Sequence, residues 1–282
     1  MSALTLTFAR DHLLARLGRS PAFVAGAAIL GFWIFCALFS AHIVPFDPLA
    51  DDMSNSLAPP SAQHWFGTDQ LGRDQFSRVL SGAKDILVVA PLVTLLATAI
   101  GSVLGLIAAY FGGWVDRTLN RLFDSIMAMP LTIMALVALS ALGSSVGTVI
   151  CVIAFAFAPM IARSVRTAAR GETRLDYVAA AEMRGESVPR ILLVEILPNI
   201  APVLLVEATL RLGYAVFSAA TLSFLGFGIQ PPSPDWGLAI AENYPLLIGG
   251  MWWTVVFDAL ATASLVIGTH LLTDALRKAL GE

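Results

Sequence analysis

The chain has 282 residues, of which 57% are hydrophobic and 13% charged, with a net charge of −3. Soluble domains carry about 25% charged residues, so a chain with a mean hydropathy of +0.78 falls outside the soluble globular class. Its basic residues lie in separated clusters, which excludes a nucleic-acid partner.

A helix needs about 20 mostly apolar residues to cross a hydrocarbon core of roughly 30 Å. Six segments qualify: 22–44, 86–110, 120–142, 146–163, 196–219 and 252–273. The fold class is therefore an all-α polytopic membrane protein with six transmembrane helices. Arg10, Arg16 and Arg19 precede the first segment as they would precede a signal peptide. That apolar run exceeds the roughly 7–15 residues of a signal-peptide core, and Phe32, Trp33, Phe35 and Phe39 fill its second half. It reads as an uncleaved first span. The third and fourth segments, joined by Gly143-Ser144-Ser145, read as a tight helical hairpin. Cys36 and Cys151 both lie in apolar runs and read as small hydrophobes, with no disulfide or metal site expected.

Lys and Arg gather on the cytoplasmic side of membrane proteins. Residues 1–21 form one basic segment, Arg117 and Arg121 a second, the connection 164–195 a third, and Arg277 with Lys278 a fourth. Arg163 stands at the edge of that connection, which contains Arg166, Arg170, Arg174, Arg184 and Arg190. In residues 45–85, Asp47, Asp51, Asp52, Asp69, Asp74 and Asp85 outnumber Arg73, Arg78 and Lys84, and residues 220–251 carry Asp235 and Glu242 with no basic residue. These two segments are assigned outside, and both termini cytoplasmic. Residues 86–282 form a core of five helices behind the first.

Three polar segments carry further information. In His64–Arg78, Thr68 or Asp69 is expected to cap a helix, and Asp69/Arg73 and Asp74/Arg78 are acid-before-base pairs at the helical spacing. Trp65, Phe66, Leu71 and Phe76 supply an apolar side, so a short amphipathic helix at the membrane surface, acting as an interfacial anchor, is expected before the second span. In the cytoplasmic connection, Leu175–Met183 is Ala-rich and suits a short helix, with Gly185 ending it in the left-handed region. Ser187 can cap a second helix with Pro189 in its first turn, running through Ile196-Leu197-Pro198 into the fifth span. The alanines fit either a partner's groove or the lipid headgroups. In Leu222–Gly237, Pro231, Pro232 and Pro234 forbid a continuous helix, leaving a stiff external loop that either receives a partner or joins two spans.

Glu207 and Arg211 interrupt the fifth span four residues apart, on one helical face. Charges inside a membrane are costly and face a bundle interior or a water-filled path. The pair is read as either lining a translocation lumen or locking the helix to its neighbours. Among enzyme motifs, His-Glu-x-x-His does not occur, and the four His are scattered. No phosphate-cradling Gly-x-x-x-x-Gly-Lys-Ser/Thr sequence is present either. The chain is therefore not expected to be an enzyme or to bind ATP. An ion-coupled secondary transporter is the alternative, but it predicts internal repeats that the sequence lacks.

Phe66-Gly67-Thr68-Asp69 with Leu71-Gly72-Arg73-Asp74 and Ser77-Arg78, then Gly112–Arg117, then the connection ending in Ile196-Leu197-Pro198-Asn199, and finally Leu222–Gly226 with Pro231-Pro232 and Trp236-Gly237 occur in that order. In these motifs the chain resembles the permeases of the dipeptide, oligopeptide and nickel family of type I ATP-binding-cassette importers, in their shorter, C-type form. The resemblance implies a permease in the bacterial cytoplasmic (inner) membrane for peptides or related solutes. It also implies four partners: a homologous second permease, two cytoplasmic ATPases that carry ATP and Mg, an extracytoplasmic substrate-binding protein, and membrane lipid. This chain itself binds no cofactor. Tyr177, Ala179, Ala180, Ala181, Gly185, Leu197 and Pro198 map onto the family's ATPase-coupling segment, Ala179 standing where the motif has Glu. Asp69, Gly72, Arg73 and Asp74 map onto its extracytoplasmic motif. Thr269–Asp274 departs from the family's Asn-Leu-Leu-Gly-Asp, and Asp258 stands where the family tends to have Pro. Asp258 is expected at the external mouth of the lumen, with Glu207 and Arg211 deeper on the pathway.

Overall fold

A computed structural model describes residues 17–18 and 20–280. The expected basic tail, with Arg10, Arg16 and Arg19, lies outside the described residues. The long helices are α1 (Pro21–Ile43), α2 (Gln75–Phe111), α5 (Val146–Glu172), α9 (Ala201–Phe224) and α11 (Trp253–Leu280). Each is long and apolar enough to span a membrane. The shorter helices are α3 (Gly113–Met127), α4 (Leu131–Leu142), α6 (Asp176–Met183), α7 (Val188–Arg190), α8 (Leu197–Asn199) and α10 (Trp236–Asn243). Among the described residues the only β pairing is an isolated bridge between Thr68 and Asp74.

Helix α1 is apolar on all sides. Ser20 caps it by accepting the Phe23 amide at 3.4 Å, Pro21 occupies its first turn, and only Gly26, Trp33 and Cys36 are buried. It packs on α11 and α2. A Cβ on Gly26 would lie 2.7 Å from the Gly268 carbonyl oxygen, so the α1–α11 crossing brings backbone onto backbone. Cys36 is buried, Cys151 exposed, and both are free thiols.

The most extensive helix contact joins α2 to α5. Its sequence cause is Gly101-Ser102-Val103-Leu104-Gly105, a small-xxx-small pattern that presents two side-chain-free patches on one face of α2. Cβ atoms there would stand 2.7 Å from the Ala158 oxygen and 2.6 Å from the Ala162 oxygen. At 37 residues, α2 is about 55 Å long, well beyond a hydrocarbon core of about 30 Å. It joins the external segment to the opposite end of the bundle.

The third expected span is broken: α3 and α4 meet at 88°. Pro130 precedes α4 with extended ψ. Proline has no N–H to continue the ladder, and it disfavours the α conformation at the residue before it. The fourth span continues past residue 163 to Glu172, so Arg163, Arg166 and Arg170 ride on a helix and not on a loop. Asp116 of α3 receives Arg166 and Arg170, the latter at 2.7 Å, which ties α3 to this extension. The fifth span starts at Ala201, not at 196, because Ile200 leaves the helical region with ψ 5°.

Gly105→Val is expected to overpack the α2–α5 contact at a cost of about 1–3 kcal/mol. It should lower the thermal midpoint of the detergent-solubilised protein. Gly31→Val, where a Cβ meets nothing within 4 Å, should leave that midpoint unchanged.

Candidate functional site

The external motif forms a buried knot, not an amphipathic surface helix. Gly67 and Gly72 hold φ of +74° and +76°, a region glycine enters without strain. A Cβ on Gly72 would lie 1.7 Å from the Asp52 carbonyl oxygen. Neither Thr68 nor Asp69 caps a helix. The Asp69 carboxylate accepts the amides of Leu71 and Arg73, each at 2.9 Å, a turn that competes with helix. Asp74 is the actual cap of α2, accepting the Ser77 amide at 2.8 Å.

Of the two expected ion pairs, Asp69–Arg73 forms at 2.7 Å, and Arg73 also reaches Glu242 of α10 at 3.0 Å. Asp74 turns instead to His64 at 2.8 Å, and Arg78 turns to Asp69 at 3.6 Å. Asp69 and Arg78 are fully buried, so the segment is not an interfacial anchor. It is pinned to α11: Phe66 stacks on Phe257 at 3.8 Å, and Trp253 Nε1 donates to the Thr68 carbonyl at 3.2 Å.

Asp258 is not at an external mouth. Its side chain is 0% exposed and accepts from Gln75 of α2. Glu207 and Arg211 lie elsewhere, so the structure does not gather the three expected lumen residues. The first turns of α11 lie under the knot, and a carboxylate there joins α2 to α11.

Next to the knot, Asp235 caps α10 by accepting the Leu238 amide at 2.9 Å. Trp236 Nε1 donates to the Val79 carbonyl at 2.8 Å. The three-proline loop is thereby docked on α2. Burial pushes the Asp235 carboxyl from its ordinary 3.8 up to about 6, and the nearby Asp85 adds to the rise.

At the other end of α2, helix α6 covers the expected coupling residues. Val178 and Ala181 are buried, whereas Ala179 is exposed, Ala180 half-buried and Met183 83% exposed. The helix ends as expected at Gly185, with φ +71°. The Gly185 amide donates to the Glu182 carbonyl at 2.9 Å and the Glu186 amide to the Ala181 carbonyl at 3.2 Å, the paired bonds of a Schellman ending. Ser187 precedes α7, but its side chain caps nothing. A π-helical turn (Ile191–Ile196) then leads to α8, where Leu197 is half-buried and Pro198 exposed.

Three hydrogen bonds hold α6 to its neighbours. Tyr110 Oη of α2 donates to Glu182 at 2.8 Å. Tyr177 Oη donates to Glu172 of α5 at 2.7 Å and accepts from Asn199 of α8 at 3.1 Å. Sequence reading singled out Tyr177 but not Tyr110, Glu172 or Glu182, because these partners come from separate helices with no shared spacing.

The Glu207–Arg211 pair forms as the spacing predicts, at 3.1 Å. Ser164 Oγ of α5 donates to Glu207 Oε1 at 2.8 Å. Arg211 Nη1 meets Met160 Sδ at 3.1 Å, and its guanidinium lies 5.5 Å from the Tyr214 ring centre.

Comparison with known proteins identifies the family. Residues 101–282 match the family described as "binding-protein-dependent transport system inner membrane component". Residues 7–60 match the N-terminal transmembrane domain of oligopeptide transport permease C. The chain is similar to a dipeptide transport system permease of Alkalihalophilus pseudofirmus, 34% identical over 94% of this chain and 87% of the relative. It is also similar to a di/tripeptide transport system permease of Pseudomonas aeruginosa, 35% identical over 88% and 83%. A glutathione transport system permease of Escherichia coli is 38% identical over 94% and 88%.

Because the folded state raises the Asp235 pKa, that carboxyl favours folding most when protonated, and the contribution is lost as pH rises through about 6. Asp235→Asn keeps a capping side chain without the charge. It should match the wild type near pH 4 and exceed it near pH 7 by on the order of 2–3 kcal/mol, read as the difference in unfolding midpoint at the two pH values.

Proposed function

Because this chain belongs to the family of binding-protein-dependent transport system inner membrane components, we propose that it forms one half of the translocation pathway of an importer for peptides or related small solutes. It is a multi-pass inner-membrane permease of an ABC transporter, not an enzyme, and ATP hydrolysis is the work of separate subunits. Family membership removes the ion-coupled secondary transporter as a reading. The proposed complement is a homologous second permease, two cytoplasmic ATPases carrying ATP and Mg, and an extracytoplasmic binding protein that delivers solute. The peptide assignment is supported by the relatives' names, which specify dipeptides, di- and tripeptides, and glutathione.

The observation that carries the reading is the attachment of α6. In the proposed mechanism its exposed face, centred on Ala179 and Met183, docks in the ATPase. Closure of the ATPases on ATP displaces α6 as a rigid piece. Tyr110–Glu182 passes that movement to α2, Tyr177–Glu172 to α5, and Asn199–Tyr177 to α8 and so to α9. The bundle then opens alternately to the two sides. Basic residues on α3, on the extension of α5 and at the end of α11 support a cytoplasmic position for this end. The acidic segment around the knot supports an extracytoplasmic position for the other.

Gly185→Asp places a charged side chain at positive φ, on the exposed end of the docking helix. Membrane insertion should be normal, whereas copurification with the ATPases and ATP-driven uptake should each fall at least tenfold. Wild-type uptake by this variant would count against α6 as the coupling element. Tyr177→Phe removes both the donor to Glu172 and the acceptor for Asn199. It should leave copurification intact and reduce the uptake obtained per ATP hydrolysed, measured in proteoliposomes.

A further inference from the structure

Arg211 stands ten residues into α9, about 15 Å along its axis, where it meets Met160 of α5, and Glu207 lies one turn nearer the α6 end, beside Ser164. The buried carboxylates Asp69 and Asp258 are 0% exposed. The side chains of Glu207 and Arg211 each keep 15% exposure, and Tyr214 beside them is 48% exposed. This polar group therefore reaches the surface of the chain within the span. Charges inside a membrane face a bundle interior or a water-filled path, so the surface that bears it turns away from lipid, toward the second permease and the path between the two.

The donors and acceptors are unequally used. Glu207 accepts from Ser164 through one oxygen and from Arg211 through the other. Of the three Arg211 nitrogens, only Nη2 meets an oxygen. Nη1 faces a thioether, a weak acceptor, and Nε is buried without a partner. A guanidinium has five N–H donors in a fixed fork suited to carboxylates, so this one has donors free for a second carboxylate. The Glu207 oxygens retain lone pairs for an ammonium. The pair is neutral overall, so a solute bearing both charges enters without leaving a net charge within the span.

We propose that Glu207 and Arg211 form a station for zwitterionic solutes in the cytoplasmic half of the pathway, Arg211 taking a terminal carboxylate and Glu207 an ammonium, with Tyr214 forming one wall. This proposal rests on the permease reading and adds a solute-contacting site to it.

The test uses the full complex in proteoliposomes, with binding protein saturated either with alanyl-alanine or with its C-terminal amide. Wild type should carry the free dipeptide at least tenfold faster than the amide. Arg211→Gln should bring that ratio close to one, with ATPase copurification unchanged. The exchange Glu207→Arg with Arg211→Glu keeps an ion pair on α9 but moves the guanidinium by one turn. It should fold and assemble yet still transport the free dipeptide at least tenfold more slowly than wild type. Restored transport in the exchanged variant, or an unchanged ratio in Arg211→Gln, overturns the site and identifies the pair as a structural lock. Absence of ATP-driven uptake in the wild type overturns the peptide-permease reading itself, and the site with it.

Discussion

The contact of Gly101 and Gly105 with the backbone of α5 is the constraint on which the rest of the molecule depends. Lipid tails are as apolar as leucine, so helices in a bilayer gain little from hiding hydrophobic surface and associate by close packing. Without side chains at two successive turns, α2 comes within carbonyl contact of Ala158 and Ala162. That contact fixes a rod about 55 Å long in the middle of the bundle. Every polar feature described above is attached to this rod or to the helices packed on it.

The two ends of α2 are built differently, and the difference suits their roles. At the outer end, Asp69, Arg73, Arg78 and Glu242 exchange ion pairs in a buried environment. Removing one partner from such a group typically costs about 3–5 kcal/mol, so this end behaves as a fixed clamp on α10 and α11. At the inner end, α6 is held by three side-chain hydrogen bonds to α2, α5 and α8, each worth about 0.5–1.5 kcal/mol. It presents Met183 to the surface. The clamp holds one end of the bundle more tightly than three hydrogen bonds hold the other. Between them, the charged pair on α9 lies on a helix connected to α6 through Asn199.

Five of the six expected spans were legible because hydropathy over about 20 residues depends only on composition. The broken third span was legible in principle, through Pro130, but its apolar character hid the proline. Gly185 was read correctly as a helix stop because the left-handed conformation is a local requirement that few residues but glycine satisfy. The helix expected at 64–78 failed for the same local reason: two glycines at positive φ and an aspartate bonding nearby amides outweigh an acid–base spacing. Asp258 was misplaced because a charge near a span's end has two physical solutions, exposure or pairing. Gln75, its partner, is 183 positions away.

By itself, then, the sequence determined what depends on neighbours along the chain: the apolar spans, the Gly185 ending, the Glu207–Arg211 pairing across one helical turn, and the family motifs. Only the tertiary structure decided which charges meet. It turned Asp74 to His64 and Arg78 to Asp69, and it gave Tyr110 and Glu172 their places beside α6. The physical reason is that ion pairs and hydrogen bonds act over a few ångströms in space, while the helices that bring these groups together are set by packing contacts far apart in the chain.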